Sequence, residues 1–237
     1  MLLPTKGKKK DDMNLYKLSK RLDINELGIP TQVVLSKTLC NNKGVTSIVS
    51  KILTQMISKL NNGAPWALKQ PELSDQPTMI CGIDVWHGSG KSILGFTASL
   101  DSNFSKYTSD VKTQDLKDEL GKEVSTSVMT CLEAFKSLNN IYPKRLIIYR
   151  DGVSKGQFST VQKQECNNIK QSLTKKNIDC KLVYIIVNKR VDTKIINKMR
   201  NEGCAEGTVV DECVTETDMY DFYMVPLASR QGLANPI

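Results

Sequence analysis

The chain has 237 residues, 40% of them hydrophobic and 24% charged, a balance typical of a globular protein with a buried core. Its longest apolar runs, such as residues 182–187, are too short to span a membrane, and residues 1–10 lack the apolar stretch of a secretory signal. The net charge of +8 favours a polyanionic partner without identifying one. Seven cysteines without a C-x-x-C pair, and a single histidine, argue against a structural zinc site and favour free thiols in a reducing compartment.

The N-terminal part predicts helices with one short strand between them. A helix is predicted over residues 14–22, and a strand over residues 31–35. Residues 46–60 give the clearest helix, because their apolar side chains recur every three or four positions and form one stripe. Lys51, Gln55 and Lys59 follow one another four residues apart on another line of that helix.

After residue 63 the pattern changes to strands and then to alternating strands and helices. Strands are predicted over residues 79–85 and 92–100, joined by a short connection that contains glycine, as in a hairpin. Further along we predict helices over residues 115–137 and 158–173, and strands over residues 145–149, 181–187 and 221–225. This order predicts an α/β fold built on a mixed sheet with flanking helices.

Two aspartates stand at the ends of predicted strands. Asp84 lies in the apolar residues 81–85, and Asp151 follows the strand over residues 145–149 after one arginine. A buried carboxylate is costly unless it is compensated, and magnesium, which binds one or two carboxylates, is one compensation. If the two strands are neighbours, both aspartates can share metal ions that promote phosphodiester cleavage. The alternative is structural, with Asp151-Gly152 a common turn pair and Asp84 a capped or salt-bridged core residue.

Short motifs occur along the chain in one order. They are Gly82-Ile83-Asp84-Val85-Trp86-His87, Tyr149-Arg150-Asp151-Gly152-Val153 with Gly156-Gln157, Val187-Asn188-Lys189-Arg190, Gly207-Thr208-Val209-Val210-Asp211, and Tyr220-Asp221-Phe222-Tyr223 with Arg230-Gln231-Gly232. In this order they resemble the Piwi branch of the Argonaute family. The resemblance implies a ribonuclease-H-like PIWI domain over residues 64–237, truncated at its C-terminus, preceded by the C-terminal part of an α/β MID domain and a connecting helix over residues 1–63.

The resemblance also implies a cleavage site, which in the family has the order Asp-Glu-Asp-His. Asp84 and Asp151 match the two aspartates, so we expect both to be catalytic and to bind Mg²⁺. Glu119 is the expected catalytic glutamate, and its neighbours Asp118 and Glu123 stay open as alternatives.

The histidine of this set is expected to be missing from residues 1–237. In the family it follows a segment that resembles Asn235-Pro236, and this sequence stops at Ile237. His87 belongs to the strand motif instead, and we expect it to have a structural role.

The resemblance further implies a pocket for the 5′ phosphate of a guide RNA. Tyr16, Lys20 and Gln32 match the tyrosine, first lysine and glutamine of that pocket in order and spacing. Gln55 and Lys59 match the glutamine and lysine that Piwi members carry on the following long helix. A tyrosine ring can stack on the first base, lysines neutralise phosphate, and a glutamine amide adds a directed hydrogen bond.

The implied function is small-RNA-guided nucleic-acid binding in gene silencing, with magnesium-dependent cleavage of target RNA in the full-length protein. The implied partners are a guide RNA, a complementary target RNA and silencing proteins, in the cytoplasm or nucleus and without a membrane. Lys189 and Arg190 are expected to contact the nucleic-acid backbone. Two alternatives stay open: a catalytically inactive guide-binding protein, and an unguided ribonuclease-H-type nuclease. The pocket residues argue against the second alternative, because an unguided enzyme needs no 5′-phosphate pocket.

Overall fold

The N-terminal part of the computed structural model is mainly helical. The structure describes residues 2–3, 9–40, 44–61, 63–67, 71–88, 90–115, 120–189, 191–199, 202–217, 219–227 and 236–237. Its first elements are β1 (Leu2–Leu3), α1 (Lys9–Arg21) with a π-helical continuation (Leu22–Leu27), β2 (Val34–Leu35), α2 (Ser36–Leu39), α3 (Val45–Asn61) and α4 (Pro71–Ser74). The two short strands pair in parallel. The helix predicted over residues 46–60 is confirmed as α3.

A five-stranded mixed sheet forms the centre of the fold. Its antiparallel half consists of β3 (Thr78–His87), β4 (Lys91–Ser99) and β5 (Tyr107–Asp115), and its parallel half adds β6 (Arg145–Asp151) and β7 (Lys181–Val187). The spatial order is β5-β4-β3-β6-β7, so the hairpin strand β3 lies in the middle, next to β6. The predicted mixed sheet is confirmed.

A helical segment precedes each of the two strands β6 and β7 in the chain. The first is α5 (Leu120–Asn139), and the second runs from a 3₁₀ turn (Lys155–Gln157) through α6 (Phe158–Val161) and a π-helical turn (Gln162–Cys166) to α7 (Asn167–Lys175). Two small antiparallel pairs follow the sheet: β8 (Ile196–Asn197) with β9 (Glu202–Gly203), and β10 (Val209–Val210) with β11 (Tyr223–Met224).

The hydrophobic core lies between one face of the sheet and the helices α5 and α7. Cys81 and Ile83 of β3 are buried in it, together with Leu132 of α5 and Ile169 of α7. Because side chains alternate along a strand, Asp84, which follows Ile83 directly, belongs to the opposite face. One face of the sheet is therefore packed against helices, and the other face presents polar side chains such as that of Asp84.

The strands predicted over residues 31–35 and 221–225 are shorter in the structure, as β2 and β11, and the largest error in the predicted bounds lies near residue 115. Asp115, predicted to begin a helix, ends β5, a strand that the sequence pattern did not predict. Tyr107 and Val111 are the hydrophobic residues of this edge strand, and Val111 is exposed, so β5 lacks the apolar alternation that marks a strand. In the part of the chain that the structure describes, no helix has the length and apolar character needed to cross a membrane.

Candidate carboxylate centre and basic cluster

Asp84 and Asp151 lie side by side at the carboxyl ends of two neighbouring strands. β3 and β6 are parallel and in register up to the pair Ile83 and Arg150. Asp84 and Asp151 are the next residues along each strand, so their side chains belong to the same face of the sheet, opposite the helices. The structure thus brings together the two residues that the sequence predicted would share metal ions.

The expectation that Asp84 is a core carboxylate is wrong. The side chain of Asp84 is exposed, because the alternation of β3 turns Cys81 and Ile83 into the core and Asp84 away from it. Asp151 is half-buried, with 32% of its side chain exposed. A cation can therefore reach this site from solvent. Because neither carboxylate is deeply buried, the cost of burying a charge does not by itself call for a cation here.

A lysine ammonium contacts this carboxylate pair. The residue pair Asp151 and Val187 ends the register of β6 with β7, and Lys189 follows two residues later. The Nζ atom of Lys189 lies 2.5 Å from Oδ2 of Asp151. This hydrogen bond, with the negative charges of Asp151 and Asp84, raises the pKa of Lys189. The two carboxylates therefore act on one cation.

The donor set fits a magnesium ion. Magnesium binds through one or two carboxylates and keeps several waters or phosphate oxygens, and Asp84 and Asp151 supply two exposed or half-buried carboxylates. Within the described ranges, no group of three His, Cys, Asp or Glu residues is close enough to hold a metal. Asp118, Glu119 and Arg190 lie outside the described residues, and Glu123 is half-buried in the first turn of α5.

His87 lies on the opposite side of β3 from Asp84, because three positions separate the two residues along the strand. Its Nδ1 atom is 2.8 Å from the hydroxyl oxygen of Ser92, its partner across the hairpin. Ser92 is buried, so the histidine supplies a buried hydroxyl with a hydrogen-bond partner. This contact supports the structural role predicted for His87.

In the N-terminal part, Lys20 and Lys59 both donate hydrogen bonds to Thr31, and Lys59 also donates to Gln32. The Nζ atom of Lys59 donates to the carbonyl oxygen of Thr31 at 2.8 Å and to Oε1 of Gln32 at 2.6 Å. The Nζ atom of Lys20 donates to the hydroxyl and the carbonyl oxygen of Thr31, at 3.1 Å and 3.4 Å. We call Lys20, Asp23, Thr31, Gln32 and Lys59 the basic cluster. Residues from α1, α3 and the segment between them thus meet at one place.

Tyr16 and Gln55 lie one helical turn before the two lysines of the cluster. Both side chains are exposed, Tyr16 on α1 and Gln55 on α3. On a helix, residues four apart share a face, so Tyr16 lies beside Lys20 and Gln55 beside Lys59. The structure therefore places these two predicted residues at the border of the basic cluster.

Sequence reasoning missed Asp23, the acidic member of the cluster. Its carboxylate accepts hydrogen bonds from the hydroxyl of Thr31 and, at 3.0 Å, from Nζ of Lys20. The hydrogen bond from Thr31 lowers the pKa of Asp23 despite the opposing effect of burial, and Lys20 lowers it further. The spacing of Lys20 and Asp23, three residues apart on one helical face, was the signal that could have identified the pair.

The comparisons with known proteins agree with this architecture. Protein argonaute-3 of Drosophila melanogaster is 35% identical over 226 residues, which cover 93% of this chain and 25% of that protein. The crystal structure of Drosophila Piwi, 25% identical, matches with a TM-score of 0.84 over 99% of this chain and 32% of that chain. A structure of Kluyveromyces polysporus Argonaute with a guide RNA, 23% identical, matches with a TM-score of 0.79 over 99% of this chain and 31% of that chain.

The likeness to these solved structures confirms the ribonuclease-H-like fold class. The chain spans about a quarter of the length of Protein argonaute-3. The family model described as the Piwi domain matches residues 2–237, nearly the whole chain. With the strand order, the paired aspartates and the relatives all in agreement, the chain belongs to the Argonaute/Piwi family.

Proposed function

We propose that this chain binds the 5′ end of a small guide RNA and forms part of a guided gene-silencing protein. The observation that carries the proposal is that Lys20 and Lys59 both donate to Thr31, while Lys59 also donates to Gln32. Two ammonium groups and one glutamine amide from separate elements thus lie close together, and such groups are of the kind that binds a terminal phosphate. The solved relative with a guide RNA supports the same choice of ligand.

Each member of the basic cluster has a distinct task in this proposal. Lys59 donates its hydrogen bonds to two neutral oxygens and acts on Asp23 less strongly than Lys20 does, so most of its charge stays available to a phosphate. Lys20 is held by Thr31 and Asp23 and adds a second positive charge. Gln32 orients Lys59 through its side-chain oxygen. The exposed ring of Tyr16 offers a surface on which the first base can stack.

The proposal includes magnesium and a target RNA. Asp84 and Asp151 would hold Mg²⁺, with Glu119 as the third catalytic carboxylate. The ion would stabilise the charge on the attacking and leaving oxygens of a phosphodiester. The chain itself contributes the orientation of both carboxylates, through the register of β3 with β6. Lys189 and Arg190 would contact the nucleic-acid backbone, and pairing of guide with target would supply sequence specificity.

A second candidate is a silencing protein that binds guide RNA and does not cleave, acting through partner proteins. The ion pair of Lys189 with Asp151 favours it, because a bound ammonium competes with a metal ion for that carboxylate. An unguided nuclease is disfavoured by the basic cluster, which such an enzyme does not need. All seven cysteines are free thiols, which supports a reducing compartment, either cytoplasm or nucleus.

The test is the dependence of RNA binding on the 5′ phosphate. Lys59→Ala should weaken binding of 5′-phosphorylated RNA by roughly 1–3 kcal/mol, the cost of a lost charge-assisted hydrogen bond, and leave binding of 5′-hydroxyl RNA nearly unchanged. Filter binding with both RNAs measures the effect. Lys51→Ala is the matched control, since Lys51 is exposed on the same helix and its loss changes the net charge equally. Equal losses for both RNAs would contradict the pocket.

A further inference from the structure

A buried ion pair lies behind the carboxylate centre, on the helix side of the sheet. Arg150 precedes Asp151 on β6, and its side chain is only 5% exposed, while that of Glu165 is 3% exposed. The Nε atom of Arg150 lies 3.3 Å and 3.5 Å from the two carboxylate oxygens of Glu165. Burying two charges is expensive, and replacing such a pair with apolar residues is often neutral or stabilising. Stability alone therefore gives a weak account of this pair.

Tyr184 of β7 completes the buried group. Its hydroxyl donates a hydrogen bond to Oε2 of Glu165. Burial, followed by the charge of Glu165, raises the pKa of Tyr184, so the hydroxyl keeps its proton and stays a donor. We call Arg150, Glu165 and Tyr184 the buried triad. The buried triad links the parallel strands β6 and β7 to the helical segment that lies between them in the chain.

Glu165 occupies a specialised position in that helical segment. It lies in the π-helical turn Gln162–Cys166, between α6 and α7. A π-helical turn inserts one residue into a helix, is rare, and occurs often at functional sites. Here the wider turn carries the one acidic residue of the segment Phe158–Lys175, and that residue is buried against Arg150. The irregular helix and the buried ion pair thus coincide at Glu165.

The triad acts on Asp151 through the backbone. The Nη1 atom of Arg150 donates a hydrogen bond to the carbonyl oxygen of Asp151 at 2.5 Å. The guanidinium therefore connects Glu165 with the peptide group of the proposed metal ligand. Gly152 follows with a φ of +79°, so the chain turns sharply after Asp151. Because β6 ends at Asp151, no further strand residues help to fix the position of its carbonyl oxygen.

We infer that Arg150, Glu165 and Tyr184 are positioning residues that fix the backbone of Asp151 and so orient its carboxylate for a divalent cation. The inference rests on the proposed magnesium site. A small cavity lined by Val85, His87, Val153 and Gln164 adjoins Arg150. When Glu165 no longer holds the guanidinium, this space lets it turn away from the carbonyl of Asp151. The carboxylate of Asp151 then loses its fixed direction without unfolding of the sheet.

The experiment compares Tyr184→Phe and Glu165→Gln with the unchanged full chain, using Mn²⁺ as the probe. Calorimetric titration should show Mn²⁺ affinity falling about tenfold, as is typical when groups that orient metal ligands are removed. Hydrogen exchange should accelerate at the amides of Asp151 and Gly152, while affinity for 5′-phosphorylated RNA stays unchanged. The phenylalanine variant removes a single hydroxyl and keeps the ring, so it perturbs packing least.

Ser125→Ala is the matched control, because Ser125 is buried and its hydroxyl forms a 2.7 Å hydrogen bond with Ser172 between α5 and α7, away from Asp151. If the triad variants lower the melting temperature as Ser125→Ala does but leave Mn²⁺ affinity and exchange at Asp151 unchanged, the triad is merely structural and the inference is wrong. Asp151→Asn tests the proposed site separately. If it binds Mn²⁺ as the unchanged chain does, the metal proposal fails, and exchange at Asp151 alone decides whether the triad positions this residue.

Discussion

Asp23 sets the charge balance of the basic cluster. Its buried carboxylate accepts hydrogen bonds from Lys20 and from the hydroxyl of Thr31. The positive charge of Lys20 is therefore partly offset, whereas Lys59 donates to neutral oxygens of Thr31 and Gln32. Of the two lysines, Lys59 should contribute more to phosphate binding, and Lys20 more to the order of the cluster.

Replacing Asp23 with asparagine should make stability depend less on pH. The hydrogen bond from Thr31 and the charge of Lys20 lower the folded-state pKa of Asp23 from its ordinary value of 3.8. The ionised group therefore stabilises the fold above that value, and the contribution is lost as pH falls through the lower folded-state pKa. The difference in free energy of unfolding between wild type and Asp23→Asn should shrink as pH falls below about 4. Urea denaturation at several pH values measures it, and a constant difference would contradict the assignment.

Some functional residues were predicted from the sequence, and others could be identified only from the structure. Lys20, Gln32 and Lys59 were predicted because their types and spacing follow a family motif, and the structure brings them together. Glu165 and Tyr184 were not, because each meets its partner only through the fold: Glu165 lies 15 residues from Arg150, and Tyr184 lies 19 residues from Glu165. No local pattern marks such a contact before the strands and helices are assembled.

At the scale of elements, α5 packs one side against the sheet and forms part of the hydrophobic core. Leu132 is completely buried in the core, whereas Leu138 on the same helix is 51% exposed. Leu132→Ala should lower the free energy of unfolding by about 2–5 kcal/mol, because it removes buried contacts and leaves a cavity. Leu138→Ala should change it by no more than about 0.5 kcal/mol, as at most surface sites. Equal effects in urea denaturation would mean that α5 does not pack as described.

Elements were predictable where their apolar side chains recur at a helical period or form a short run. The helix α3 and the strands β3, β6 and β7 were recognised in this way. The edge strand β5 was missed, since it has only two hydrophobic side chains to mark it. The register of β3 with β6, which brings Asp84 beside Asp151, was stated only as a condition, because sequence patterns do not reveal which strands are neighbours.

At the scale of the whole molecule, the net charge of +8 should make RNA binding depend strongly on salt. Lysines that contact phosphates displace counterions, and for single strands the logarithmic slope of affinity against salt is about −0.7 per neutralised phosphate. Three lysine contacts would give a slope of roughly −2, and Lys59→Ala should make that slope less negative by about 0.7. Titrations at rising salt with 5′-phosphorylated RNA test this. A flat line would mean that the positive charge does not serve this partner.

In the proposed function, the ion pair of Lys189 with Asp151 would link the binding of metal and of nucleic acid thermodynamically. A metal ion that took over the carboxylate of Asp151 would release the ammonium of Lys189, which would then be free to neutralise a phosphate. Conversely, a phosphate that draws Lys189 away uncovers the carboxylate. Because coupling between two binding events is reciprocal, each ligand must raise the affinity for the other by the same factor. The carboxylate centre would then hold its metal most tightly when nucleic acid is present.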